Sequence, residues 1–341
     1  MKKLWLILFG LGLLSFTVFK GFKLAYPSYF PKPLYDFKKN PLAQQKIDLG
    51  RVLFYDPILS KDNSISCASC HSPYNAFAHV DHDLSHGIGD QVGSRNAPAL
   101  INLAWQSEFM WDGAINHLDM QALAPISHPK EMGEDIANVI TKLRQIPMYR
   151  ELFFDAFADS TITGAQTLKA LSQFQLTFIS ANAKYDSVMR KKSVFTDQEA
   201  NGYRLFKQHC NSCHAEPLFS TYEFADNGLK IDSTLNDLGR VVVSHNPLDS
   251  LKFKVPTLRN VAYSFPYMHH GRFSKLSQVV THYTNLTFCN QKDKRLQKPI
   301  VLTENEKVDL VAFLLTLSDK SFVFNPSYSY PKEILARWRR D

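Results

Sequence analysis

Cys67-Ala68-Ser69-Cys70-His71, repeated as Cys210-Asn211-Ser212-Cys213-His214, is the stretch from which the rest of the chain can be read. A C-x-x-C-H run is suited to covalent haem attachment: two thiols add to the haem vinyls and the adjacent histidine reaches the iron. Two cysteines three apart on one helical turn match the separation of the vinyl carbons. A zinc half-site would also use the thiols, but it would want a second thiolate pair and has no need of the histidine. Two complete copies take four of the five cysteines, so the chain reads as a cytochrome with two covalently bound haem c groups. The fifth, Cys289, reads as a buried or inert thiol rather than a disulfide partner.

Around these runs the chain repeats itself. Gly50-x-x-Leu53-Phe54 precedes the first motif and Gly202-x-x-Leu205-Phe206 the second. Beyond the motifs, Pro98, Leu100, Asn102, Ala104, Met110, Gly113 and Leu118 are answered by Pro256, Leu258, Asn260, Ala262, Met268, Gly271 and Leu276 at one constant offset. Trp105 is answered by Tyr263. Composition alone does not produce matches in register. The expected fold is all-α, with two tandem cytochrome c-like haem domains related by an internal repeat. The expected divisions are residues 1–23 as signal or anchor, 24–163 and 164–320 as the two haem domains, and 321–341 as a tail packing back.

The 341 residues leave room for two ordinary domains, and a hydrophobic content of 45% suffices for their cores. Of the net charge of +7, Lys2, Lys3, Lys20 and Lys23 supply four units, so no nucleic-acid partner is inferred. Two lysines followed by the apolar run Leu4–Phe19 form an export signal. Export agrees with covalent haem attachment, which in bacteria takes place outside the cytoplasm. No small-x-small cleavage site follows, which favours an uncleaved anchor, although the run is short against the roughly 17–25 residues of a spanning helix. The expected location is the periplasm, with a tether to the inner membrane through this segment.

Local signals place the helices. Asn40-Pro41 has the form of a helix start, and that helix should end before Asp56-Pro57. Residues 135–192 are helical by periodicity, with a break near 159–164. Thr196-Asp-Gln-Glu199 and Thr303-Glu-Asn-Glu306 are capping boxes. The second should open a helix with Val308, Val311, Phe313, Leu314 and Leu317 on its apolar face.

The repeat also separates the two irons. His71 and His214 are the proximal ligands. Tyr283 lies twelve residues past Gly271, on a helix expected over Leu276–Tyr283, and its counterpart at the repeat offset is Pro125, which has no side-chain donor. One iron is therefore expected to be capped and one open; an open haem activates a small oxidant, whereas a capped one moves electrons. Met268 is the alternative ligand, and a core tyrosine near the haem edge is the plainer reading of Tyr283.

Leu49-Gly-Arg-x-Leu-Phe54, the two haem motifs, Arg95-Asn-Ala-Pro98, Trp111-Asp-Gly113, Gln121-Ala, Pro125, Glu131-Met132, Pro256-Thr-Leu-Arg-Asn-Val261 and Pro266-Tyr-Met-His-x-Gly271 together resemble the bacterial di-haem cytochrome c peroxidase family, including its MauG-type branch. The resemblance runs from about Pro41 to Asp319. It implies that Trp111 lies between the haems and that Gln121 and Glu131 form the distal pair over the first. It implies inter-domain Ca2+ at Asn96 with the backbone oxygens of Ser264 and Pro266, where threonine is commoner than Ser264. It also implies a cap on the first haem near His86, whose plainer reading is a loop histidine. Ala114 stands where an arginine usually follows Trp-Asp-Gly, and Tyr283 matches the MauG-type branch where other members carry methionine. The activity implied is reduction of hydrogen peroxide to water with electrons from a small donor protein such as cytochrome c, with a homodimer as one expected assembly. The alternatives are a MauG-type oxidase that modifies a partner protein and a plain electron carrier.

Overall fold

The computed structural model describes residues 21–79, 81–286 and 293–338. The apolar run at Leu4–Phe19 and Cys289 lie outside the described residues. Among the described residues, no helix is long and apolar enough to cross a membrane. The chain is mostly helical. In order come α1 (Gln44–Tyr55), α2 (Cys67–Cys70), α3 (Leu118–Gln121), α4 (Leu123–Ser127), α5 (Ile136–Gln145), α6 (Pro147–Phe157), α7 (Gly164–Leu176) and α8 (Lys184–Met189). There follow α9 (Asp197–His209), α10 (Val241–Ser244), α11 (Leu276–Thr284), α12 (Glu304–Leu315), α13 (Lys320–Val323) and α14 (Lys332–Leu335). A two-stranded antiparallel ladder, β1 (Phe224–Ala225) with β2 (Phe253–Lys254), is the sheet among the described residues.

Two helix crossings organise two separate cores. In the first, α1 lies on α7, and Gly50 is the point of contact: a Cβ there would meet the Ala170 carbonyl oxygen at 1.9 Å. In the second, α9 lies on α12, and a Cβ on Gly202 would meet the Asp309 carbonyl oxygen at 1.9 Å. Backbones this close exclude any side chain larger than hydrogen. Leu53, Phe54, Phe77, Phe174 and Phe178 fill the first core; Phe206, Phe219, Phe313 and Leu317 fill the second. The apolar face of α12 differs from expectation, since Val308 is exposed and Leu310 is buried instead.

The expected start of α1 is corrected. Asn40 does not cap it, and the helix begins at Gln44 with Ala43 as its cap residue. Asn40 is buried, its Oδ1 accepting from Gln173 Nε2 at 2.8 Å and its Nδ2 donating to the Lys169 carbonyl at 3.3 Å. A side chain already satisfied by α7 is not free to cap α1. The capping boxes at Thr196 and Thr303 are both formed, and the break between α6 and α7 spans residues 158–163. α7, which the expected division at 163/164 would give to the second unit, packs on α1 within the first core.

The two halves carry matching turns. Phe109 bridges Ile115, and Tyr267 bridges Phe273. Met110 and Met268 take φ of 68° and 74°, Gly113 and Gly271 76° and 70°, and Asn102 and Asn260 53° and 58°. The two asparagines meet at a buried seam. Asn102 Nδ2 donates to the Ser180 carbonyl at 3.2 Å, Asn260 Nδ2 donates to Ser180 Oγ at 3.0 Å, and Asn260 Oδ1 accepts from the Asp319 amide at 2.7 Å.

The chain past Asp319 returns to the first half. Phe322, Val323, Tyr328 and Ile334 belong to the first core. Arg51 on α1 donates to Ser329 O at 2.7 Å and Pro326 O at 3.1 Å, and pairs with Glu333 at 2.5 Å.

Candidate haem sites

Each C-x-x-C-H run ends by turning its histidine inward. His71 Nδ1 donates to the Phe77 carbonyl at 2.7 Å; His214 Nδ1 donates to the carbonyls of Pro256 at 3.1 Å and Phe219 at 3.3 Å. A backbone acceptor on Nδ1 fixes the tautomer and leaves Nε2 as the ligating atom. Burial pushes both imidazoles down to about 4, so they are neutral at physiological pH. The four thiols are unpaired. Burial pushes Cys67 and Cys210 up to about 12. Free neutral thiols, three apart and followed by a histidine with Nε2 free, fit a covalently held haem.

The surroundings of the two runs differ. Beside the first, burial and, after it, the Glu131 carboxylate together raise Cys70 to about 11. Burial also raises the Glu131 carboxyl itself, opposed by His128, whose Nδ1 lies 3.6 Å from Glu131 Oε1. Gln121, the last residue of α3, donates from Nε2 to Met110 Sδ at 3.8 Å. His86 places its carbonyl 3.6 Å from Cys70 Sγ, while its ring stacks on His82 at 4.2 Å and its Nδ1 bonds Asp90 at 2.7 Å.

Beside the second run stands Tyr283 on α11. Burial raises its hydroxyl above the usual phenol range, and the Cys213 and Cys210 sulfurs add to the shift. Met268 Sδ accepts from Asn227 Nδ2 at 3.4 Å.

Trp111 sits where the halves meet. Its Nε1 donates to Asn96 O at 2.8 Å, and its own carbonyl accepts from the Lys254 amide at 2.7 Å. Asn96 is buried; its amide N donates to His269 O at 2.8 Å and its Nδ2 to Asp83 O at 3.1 Å. Of the expected calcium ligands, Asn96 is tied in this way to the turn that carries His269. Among the described residues, no group of three or more His, Cys, Asp or Glu is arranged to hold a metal ion.

The region over residues 44–194 matches the family model of di-haem cytochrome c peroxidases. The methylamine utilization protein MauG of Methylorubrum extorquens is 36% identical over 85% of this chain and 82% of its own. The cytochrome c551 peroxidase of Nitrosomonas europaea is 34% identical over 80% of this chain and 79% of its own. The chain belongs to the di-haem cytochrome c peroxidase family. A crystal structure of a MauG-like protein associated with microbial copper homeostasis superimposes with a TM-score of 0.81 at 30% identity, covering 91% of this chain and 99% of that one. As a family member the protein is an oxidoreductase of the peroxidase type and carries two haem c groups.

Sequence reasoning passed over the charges that join the halves of this peroxidase. Arg95 pairs with Asp112 at 2.6 Å and with Asp237 at 2.6 Å. Arg240 pairs with Glu108 at 2.9 Å, donates to the Asp112 carbonyl at 3.0 Å and lies over the Phe224 ring at 3.7 Å. A cation therefore reaches the Trp111-Asp112-Gly113 turn from the second half, although position 114 is alanine. These pairs have separations of more than a hundred residues, except Arg95 with Asp112, and no spacing rule announces them.

Proposed function

We propose that this protein is a periplasmic peroxidase that reduces hydrogen peroxide to water with electrons from a small donor protein such as cytochrome c. It is built as two tandem haem units, the first extending through α7. Cys67, Cys70 and His71 would hold the first haem, and Cys210, Cys213 and His214 the second. When bound, these groups supply an open iron that activates peroxide and a capped iron that passes electrons.

The observation that carries the reading is the unequal company of the two runs: a carboxyl, Glu131, beside Cys70, and a phenol, Tyr283, beside Cys210 and Cys213. Cleaving peroxide requires a proton moved from one oxygen to the other. Glu131, its carboxyl raised by burial, is suited to shuttle it. Gln121 would orient the bound oxidant from α3. Tyr283 would cap the second iron, with Met268 as the alternative. Trp111, bonded to both halves, would shorten the electron's path between them. His86, carbonyl against Cys70, would cap the first site in the resting enzyme. Calcium would sit at Asn96 with the backbone oxygens of Ser264 and Pro266 and hold the two halves in register.

A plain electron carrier has no use for Glu131 at a haem site. A MauG-type oxidase that modifies a partner protein by long-range oxidation is favoured by one observation, Tyr283 itself. A phenolate stabilises the ferric state and lowers the potential, which hinders entry of electrons from a mild donor.

The test is peroxide consumption by the haem-loaded protein with reduced cytochrome c. Stoichiometric oxidation of the cytochrome supports the peroxidase. Peroxide consumption that instead oxidises an added protein substrate supports the MauG-type reading, and no reaction with peroxide defeats both.

A further inference from the structure

Lys254, the last residue of β2, holds the loop that carries Trp111 at several points. Its amide donates to the Trp111 carbonyl at 2.7 Å. Its ammonium donates to Gln106 Oε1 at 3.0 Å and to the Glu108 carbonyl at 2.8 Å, and lies 5.7 Å from the centre of the Phe109 ring. A residue of the second half thus grips residues 106–111 of the first.

Lys254 is also half-buried. Burial pulls it down to about 7, with the Glu108 and Asp112 carboxylates opposing. Those two carboxylates are already engaged, Glu108 by Arg240 and Asp112 by Arg95. Across the strand pair, Phe224 is covered by the Arg240 guanidinium. Glu223, whose carbonyl accepts from Val255, is paired with Arg295. The facing charges are therefore balanced in pairs, and Lys254 is the group among them whose charge changes near neutrality.

We propose that Lys254 is a positioning residue for electron transfer through Trp111: it fixes the loop and, through its charge, sets how readily the indole gives up an electron. The inference rests on the reading of Trp111 as the relay between the haems. In each transfer the indole loses one electron towards the His71 side and regains one from the His214 side, so Trp111 is unchanged. Two such electrons, with two protons, convert one peroxide to two waters. A cation held on the loop that carries the indole, at the Glu108 carbonyl three residues before it, opposes loss of an electron from that indole, and a neutral amine does not. The neutral amine keeps two N–H donors, so the bonds to Gln106 and Glu108 survive deprotonation. Transfer through Trp111 should therefore speed up as pH rises through neutrality.

The experiment measures the single-turnover rate of electron transfer between the haems across neutral pH in the wild type, Lys254→Met, Lys254→Arg and Trp111→Phe. The wild type should accelerate about tenfold with rising pH, the scale of one added charge at a partly buried site. Lys254→Met should be fast and flat; Lys254→Arg, which stays charged, should be slow and flat. Haem spectra and melting temperature identify any variant that has lost its fold. NMR of lysine-labelled protein gives an independent readout: one lysine should titrate near neutrality and be missing from Lys254→Met. A wild-type pH profile in either Lys254 variant overturns the proposal, as does a Lys254 that stays charged throughout. A Trp111→Phe protein that transfers at the wild-type rate defeats the relay and this inference together. A slow Trp111→Phe protein beside an unchanged Lys254→Met profile defeats this inference alone.

Discussion

The turn at Phe109–Ile115 and the turn at Tyr267–Phe273 share one backbone and differ in what surrounds it. Both place methionine and then glycine at positive φ, at Met110 and Gly113 and at Met268 and Gly271. In both the methionine sulfur accepts from a side-chain amide, Gln121 in the first and Asn227 in the second. Twelve residues past the glycine, however, stands Pro125 in one half and Tyr283 in the other. The backbone is held by steric demands that tolerate little change, while the side chains that follow it are free to differ. The same turn is therefore followed by different side chains in the two halves.

The sharpest way to break this comparison is at Glu131. Glu131→Gln keeps the shape and removes the titratable proton, so peroxide turnover should fall by about 10²–10⁴-fold with haem content unchanged. The assay is steady-state peroxidase activity against pyridine haemochrome content, and a smaller fall makes Glu131 a structural residue. Tyr283 tests the other half. Tyr283→Phe should open the second iron, so that cyanide titration followed by absorbance saturates at one more ligand per protein than in the wild type. Tyr283→Met should raise that haem's potential in a redox titration. An unchanged spectrum and potential in both would hand the ligand role to Met268. The smallest effect probes what the halves share. Gly50→Ala and Gly202→Ala each push a methyl into a backbone carbonyl and should each cost about 1–3 kcal/mol in chemical denaturation. A large difference between them would mean that the two crossings are not equivalent.

Much of this was legible because local chemistry enforced it. The haem runs are set by covalent spacing, the capping boxes at Thr196 and Thr303 by donors that must be satisfied, and the repeat by positions such as Asn102 and Asn260 that need a left-handed backbone. Asn40 misled because its capping pattern is local while its partner, Gln173, is distant in sequence. The allegiance of α7 was hidden for the same reason: periodicity marks a helix but not the neighbour on which it lies. Lys254 carried no signal, since its environment is assembled from residues 106–111 and the second half together.

The path of the chain after Asp319 has a consequence for the order in which the molecule is made. Phe322, Val323, Tyr328 and Ile334 complete the first core, so the earliest half to be synthesised is the last to be finished. Domains generally fold as units, N-terminal ones first; here the first unit must wait, its apolar face uncovered, until the end of the chain arrives and Arg51 closes over it.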